Sequence, residues 1–352
     1  VPPPPAEPSP AVAAPATCHV RPDRSDRTAA AGSPPSPTHL VLPHASAMSP
    51  AAEAALKVLR LPHLEALLAR LALTGRDEAD EYSRTPPHER TLARLLGWQG
   101  EDGRWPLAAH WAAADGLPVD AADTSPADAW ALVTPVHWHV GSDQIALLDP
   151  AALNLGEAES RALFDAVRPS FEAEGWAAHW GTPLRWYVRH ASLAGLETAS
   201  LDRAIGRNLD LWISNDLAAR PMRRLQVEAQ MLWHEHPVNE AREERRELPV
   251  NSFWLSGSGA PQPGVLPGDT HIDERLRAPL LAGDWAVWVA AWAELDAGPI
   301  AQLLAATERG CAVQLTLCGE RHAHTWQTQP RGLLARWFGP KRRDALPVLG
   351  EL

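Results

Sequence analysis

From Thr38 onward, short apolar runs alternate with amphipathic stretches, and that rhythm predicts strands interleaved with helices. Thr38-His-Leu-Val-Leu-Pro43 is an apolar run closed by proline, the pattern of a buried strand. Ser49-Pro50 opens a helix whose Leu56, Leu59, Leu64, Leu67, Leu68 and Leu71 fall near helical spacing, with Pro62 interrupting it. Residues 74 to 90 are polar and irregular, and a short helix follows through Leu92, Leu95 and Leu96. Ala129 to Val140 and Gln144 to Leu148 predict two strands, and Val140-Gly-Ser-Asp143 between them has hairpin chemistry. Asn154 is placed to cap a helix from Glu157 to Glu174 with Leu163, Phe164, Val167 and Phe171 on one face. A strand over Leu184 to Val188, a helix over Leu225 to His234 and a strand from Ser252 to Leu255 come next, the last running into Ser256-Gly-Ser-Gly259. The final third predicts strand (Trp285 to Val289), helix (Pro299 to Arg309) and strand (Val313 to Leu317), a βαβ unit.

Residues 1–37 do not fit this rhythm. They hold 11 of the 34 prolines and almost no large apolar side chain, too little to offset the entropy of ordering, so a disordered tail is expected. Over the rest of the 352 residues no apolar run approaches the roughly 18 to 20 positions of a membrane span. The first residues also lack the basic and apolar regions of a secretory signal, which makes the cytoplasm the expected location. A formal net charge of −11 disfavours nucleic-acid binding, which needs surplus cations to displace counterions from phosphate. Three cysteines, Cys18, Cys311 and Cys318, match neither a disulfide framework nor a zinc knuckle, so Cys311 and Cys318 are expected to be inert thiols. The 16 tryptophans against 4 phenylalanines and 2 tyrosines read as core aromatics.

Three His-x-His pairs, His137/His139, His234/His236 and His322/His324, carry metal-ligand residue types. The first has the strand spacing that puts two imidazoles on one face, and the second sits at a helix end before Pro237, where it complements the dipole. Satisfied or surface histidines remain the plain reading of the other two. Ser256-Gly-Ser-Gly259 offers backbone N–H groups to an anion, or else is a simple turn. Clustered arginines at Arg203/Arg207, Arg223/Arg224 and Arg242/Arg245/Arg246 have the donors to grip phosphate, although the last group alternates with Glu243, Glu244 and Glu247 as a solvated face would. Arg331 to Arg343, with Trp337 and Phe338, is a basic closing segment.

Three stretches in order resemble the archaeal-type cofactor-independent phosphoglycerate mutases of the alkaline-phosphatase superfamily. They are Thr85-Pro-Pro-His-Glu89 with Leu95-Leu-Gly-Trp98 and Gly103-Arg-Trp-Pro-Leu107, the strand, hairpin and helix from Val133 to Val167, and Pro249-Val-Asn-Ser-Phe-Trp-Leu-Ser-Gly-Ser-Gly259. Leu61-Pro-His-Leu64, Leu315-Thr-Leu-Cys-Gly-Glu320 and the tryptophan-rich habit resemble more closely the bacterial RpfE-type regulatory proteins. The resemblance implies an α/β fold, a mixed sheet flanked by helices with an inserted α+β subdomain. Its parts are a tail over 1–37, a first part of the core over 38–128, the insert over 129–248 and a second part of the core over 249–352.

The resemblance also implies a two-metal phosphoryl-transfer site, yet Pro43-His-Ala-Ser46 stands where the family has Asp-Gly, and His88-Glu89 where it has Ser-Asp. It implies catalytic positions at His88 and Glu89, and ligand-binding positions at Arg104, Asn251, Ser256, Gly257, Ser258 and Gly259. The expectation is a regulatory or ligand-binding protein with a degraded metal site and no cofactor, taking a small phosphorylated metabolite or a regulatory protein partner. The alternative is a divergent phosphoglycerate mutase or phosphatase holding Mn or Zn through Asp296, Glu320 and His322. A third expectation is an interaction protein that works through its tail.

Overall fold

The computed structural model describes residues 38–120, 125, 128–141, 144–214, 217–329 and 343–352. The expected tail over 1–37, Cys18, the Ser142-Asp143 tip of the hairpin and, apart from Arg343, the basic segment from Arg331 lie outside the described residues.

A five-stranded mixed sheet forms the larger layer, in the order β2-β11-β10-β1-β9. β1 (His39–Leu42) is buried throughout and pairs in parallel with β10 (Gln314–Cys318) on one side and β9 (Thr270–Ile272) on the other. β11 (Ala323–Thr328) and the edge strand β2 (Leu71–Asp77) continue the sheet antiparallel. β2 runs into the stretch that looked irregular in sequence. At an edge, several of its side chains face water, so its apolar alternation is weak.

The helix expected from Ser49 is two helices, α1 (Pro50–Val58) and α2 (Pro62–Leu68). Ser49 Oγ caps the first by accepting from Ala52 N–H at 3.1 Å, and Pro62 starts the second because it cannot donate within a helix. Trp285 to Val289, expected as a strand, lies in the helix α10 (Trp285–Leu295). Asp284 caps it by accepting from Val287 N–H, and Trp288, Trp292 and Leu295 recur at helical spacing to pack with Leu40, Leu42, Leu315 and Leu317. A π-helical turn, Asp296–Ile300, joins α10 to α11 (Ala301–Glu308), at the point where Pro299 removes a backbone donor. The βαβ unit therefore starts from β9, crosses through α9 (Arg277–Leu281), α10 and α11, and ends at β10 beyond β1. α12 (Ala345–Gly350) closes this core.

The second layer is a four-stranded antiparallel sheet in the order β6-β7-β3-β8: β6 (Ala177–Thr182), β7 (Arg185–Arg189), β3 (Trp130–Val136) and β8 (Ser252–Gly259). Strand 252–259 thus extends the expected insert beyond residue 248, because its partner is β3 and not a strand of the larger sheet. β4 (Trp138–Val140) and β5 (Ile145–Leu147) form the expected hairpin pair. α5 (Glu157–Ala173) and α7 (Arg220–His234) cover this sheet. Asn154 does not cap α5. It takes a left-handed conformation, φ 47°, after the 3-10 turn Pro150–Leu153, and Gly156 holds the cap position.

Ser256-Gly-Ser-Gly259 is neither a turn nor a free loop but the end of β8. A Cβ on Gly257 (φ 63°) would approach Ala108 N to 3.0 Å, and one on Gly259 would lie 3.2 Å from Pro106. These glycines let α4 (Leu107–Ala114) lie against the strand. One other expectation changes. Arg242, on α8 (Pro237–Glu244), is fully buried and donates to the Leu248 carbonyl and to Glu159, so it is not part of a solvated face. Cys318 is free and buried, as expected of an inert thiol.

Candidate functional site

β10, β1 and β9 are adjacent and parallel, and their carboxyl ends open on one side, the usual place for a ligand in an α/β sheet. His44 follows β1 in a left-handed conformation, φ 58°, with its carbonyl accepting from Trp288 Nε1–H at 3.2 Å. Asp273 follows β9, and Gly319-Glu320 follows β10. α3 (Pro87–Leu95) brings His88 in its first turn, where Pro87 needs no donor. The short α6 (Leu201–Ala204), capped by Ser200, brings Asp202 and Arg203.

The segments that carry His44, His88 and Asp202 meet at one oxygen. His44 Nε2 stands 3.2 Å, and His88 Nε2 3.4 Å, from Asp202 Oδ2, and the two imidazoles meet edge to face at 4.7 Å between centroids. Arg277 Nη2 donates to Asp202 Oδ1 at 2.5 Å and its Nε to Oδ2 at 3.1 Å. Burial by itself would raise the Asp202 pKa, but the His88 hydrogen bond and the Arg277 charge outweigh it and hold the carboxyl well below the usual carboxylate range. Burial, then the neighbouring His88, push His44 down to about 3 against the pull of Asp202, so this imidazole is neutral near neutral pH. Glu89, beside His88, is pushed up to about 7, chiefly by burial, although the Ser200 hydroxyl donates to it at 2.6 Å.

The cluster separates two spaces. On one side is a cleft of about 1010 Å³, the more polar of the two, bordered by His44, Ser46, His88, Asp202, Arg203, Arg207 and Glu320 and also by apolar side chains such as Met48, Leu211, Leu280 and Trp285. On the other is a cavity of about 550 Å³ that shares His44, His88 and Asp202 but is walled largely by Leu92, Leu107, Trp111, Leu132, Leu266 and Ile272. Arg203 is 2% exposed, and its Nε and Nη2 have no hydrogen-bond partner among the described residues. Burial, with Arg207 and Arg90 nearby, lowers its pKa to about 10, which still leaves it a cation near neutral pH. Arg207, by contrast, donates to Glu320 at 2.6 Å.

The residues singled out in the sequence are distributed unevenly around this site. His88 lies in the cluster, Glu89 at its apolar side, and Ser256 and Gly257 in the wall of the apolar cavity. Ser258 is buried away from both spaces against Leu196 O and Thr198 Oγ1, and Gly259 lies on Pro106. Arg104 is bound to Glu101 and Glu197, and Asn251 clamps β4 through both Trp138 backbone groups, so neither borders the cleft. Asp296, Glu320 and His322 do not converge. Glu320 serves Met48 N–H and Arg207, His322 Nδ1 accepts from Ala79 N–H, and Asp296 takes the N–H groups of His63 and Leu64 and the His63 ring. The Asp296 carboxylate is a cap on α2 supplied from elsewhere in the chain. Asp296→Ala is expected to lower stability by about 2 kcal/mol, the scale of a lost buried cap, without changing ligand affinity. A shift in the urea midpoint with unaltered phosphate binding is the check.

Nor do the histidine pairs assemble. His137 Nδ1 is bonded to Pro249 O while His139 is exposed, and His324 is buried within β11. His234 lies in the last turn of α7, as expected of a helix-end histidine, while His236 caps the next helix by accepting from Val238 N–H. Asp202 and Arg277 were not legible as site residues: Asp202 lies beside the Arg203/Arg207 cluster but has no motif of its own, and nothing near Arg277 in the sequence marks it. Among the described residues, no helix is long and apolar enough to cross a membrane.

No protein-family model matches the chain, and no curated protein matches its sequence. Solved structures do. A cofactor-independent phosphoglycerate mutase from Thermoplasma acidophilum is 12% identical with a TM-score of 0.35, over 90% of this chain and 98% of that one. The PH0037 protein from Pyrococcus horikoshii is 11% identical with a TM-score of 0.43, over 83% of this chain and 87% of that one.

Proposed function

We propose that this chain is a ligand-binding, regulatory protein that holds a small phosphorylated molecule in the polar cleft. One observation carries the reading: Arg203 borders the cleft as a buried guanidinium with two nitrogens that lack hydrogen-bond partners among the described residues. A buried cation without partners is costly, and a phosphate group supplies the two parallel acceptors that a guanidinium fork fits. Of the acidic groups expected to serve a two-metal phosphoryl transfer, Asp296 is committed away from the cleft to the backbone donors of α2, and Glu320, at the cleft, to Met48 N–H and Arg207, which favours binding over turnover.

A second reading, a divergent metal-dependent mutase or phosphatase, is favoured by the convergence of His44, His88 and Asp202. One experiment separates them. The full chain is incubated with a panel of small phosphate esters, with and without added Mn or Zn, and bound ester and released phosphate are both measured. Retention of an ester without phosphate release or isomerisation is expected, and steady turnover would replace the first reading with the second.

A further inference from the structure

We infer that His44, His88 and Asp202 form a binding site for one divalent cation of the nitrogen-preferring kind, such as zinc, with a coordination position open toward the cleft. The inference goes beyond the anion reading and does not rest on it. One ligand atom from each of the three residues lies within 4.8 Å of the others. Two donors each about 2.1 Å from a tetrahedral zinc stand about 3.4 Å apart. The separations of Asp202 Oδ2 from His44 Nε2 (3.2 Å) and His88 Nε2 (3.4 Å) have that size.

Two further observations point to a ligand. His44 is 7% exposed, yet its Nε2 makes no hydrogen bond among the described residues, because the approach to Asp202 is not aligned as one. His88 Nδ1 is likewise buried without a partner. A metal at Nε2 uses the lone pair that is otherwise stranded. Asp202 is held in place for the task by Arg277, and since each carboxylate oxygen has two lone pairs, Oδ2 can accept Arg277 Nε–H and ligate a cation together.

The Arg277 charge also offsets that of Asp202. The three protein ligands and this arginine then sum to nearly zero, so a bound cation keeps most of its double charge. That weakens its retention but makes it an anchor for an anion entering the cleft. The chemistry suits a zinc or cobalt ion, since two imidazoles favour them over magnesium or calcium.

The test is titration of the full chain with cobalt(II). The visible bands of four- or five-coordinate cobalt are expected to saturate at one equivalent and to disappear on adding zinc. His88→Ala and His44→Asn, the latter keeping the left-handed backbone, are each expected to weaken cobalt binding at least tenfold, with circular dichroism unchanged. Cobalt binding is read with no phosphate ester present, which separates a failure here from a failure of the anion reading. Should either histidine variant misfold, X-ray absorption at the zinc edge of the unmodified protein decides, with two imidazole ligands expected. No saturable cobalt binding, a folded His88→Ala that binds as well as the parent, or a zinc spectrum without two imidazoles would overturn the inference.

Discussion

Replacing Arg203 by methionine is expected to weaken phosphate-ester binding at least a hundredfold while stabilising the ligand-free protein by about 1 to 4 kcal/mol. The two effects have one cause. Arg203 is 2% exposed and, among the described residues, lacks hydrogen-bond partners for two of its nitrogens, so the ligand-free protein carries a desolvation cost that the charges of Glu320 and Asp102 offset only in part. Apolar replacement of poorly compensated buried charges is stabilising on this scale. Affinity measured by calorimetry and stability measured by urea unfolding should therefore move in opposite directions. A purely structural arginine would lose stability with its affinity, and that outcome would remove Arg203 from the site.

Acid is expected to destabilise the fold through His44. Its ordinary pKa of 6.5 is pushed down to about 3 by burial, then by the neighbouring His88 and Arg277, against the pull of Asp202. Below 6.5 the unfolded chain takes up a proton that the folded chain refuses until near 3. The stability conferred by the neutral folded imidazole is thus present above 6.5 and is lost as the pH falls through that window. The loss reaches about 3 kcal/mol by pH 4, at about 1.4 kcal/mol for each unit. Glu89 works in the opposite sense. Its pKa, raised from 4.5 to about 7, makes the fold less stable as pH rises between those values, so the wild-type profile is flattened where the windows overlap. A difference measurement isolates His44. Relative to the parent, His44→Asn is expected to gain about 3 kcal/mol between pH 7 and pH 4. A constant difference over that range would show that His44 is not held neutral.

Local pattern carried much of the fold. β1, α1, the β4/β5 hairpin, α5 and α7 are set by alternation or helical spacing within one segment, and each is found close to its expected place. The Trp285 segment was misread because a run of tryptophan, alanine and valine resembles a buried strand when helical and strand spacing are both satisfied by apolar residues. Ser256 to Gly259 was misread for another reason. Glycine in sequence announces freedom, but here the lack of a Cβ makes room for α4. The site was less legible. Asp202 and Arg277 are 75 residues apart and meet only because α6 and α9 are brought to the same end of the parallel strands. His88 and Glu89 entered through the resemblance, whereas the carboxylates it implied, Asp296 and Glu320, have become a helix cap and an arginine partner.

The account depends on an anion meeting Arg203, and the most direct measurement is thermal stability against phosphate concentration at constant ionic strength, with chloride as the balancing ion. The parent protein is expected to rise saturably in melting temperature with phosphate, as a site that binds only the folded state requires, and Arg203→Met is expected to show no such rise. Equal responses from the two proteins, or none from the parent, would contradict the claim that this cleft is built around an anion.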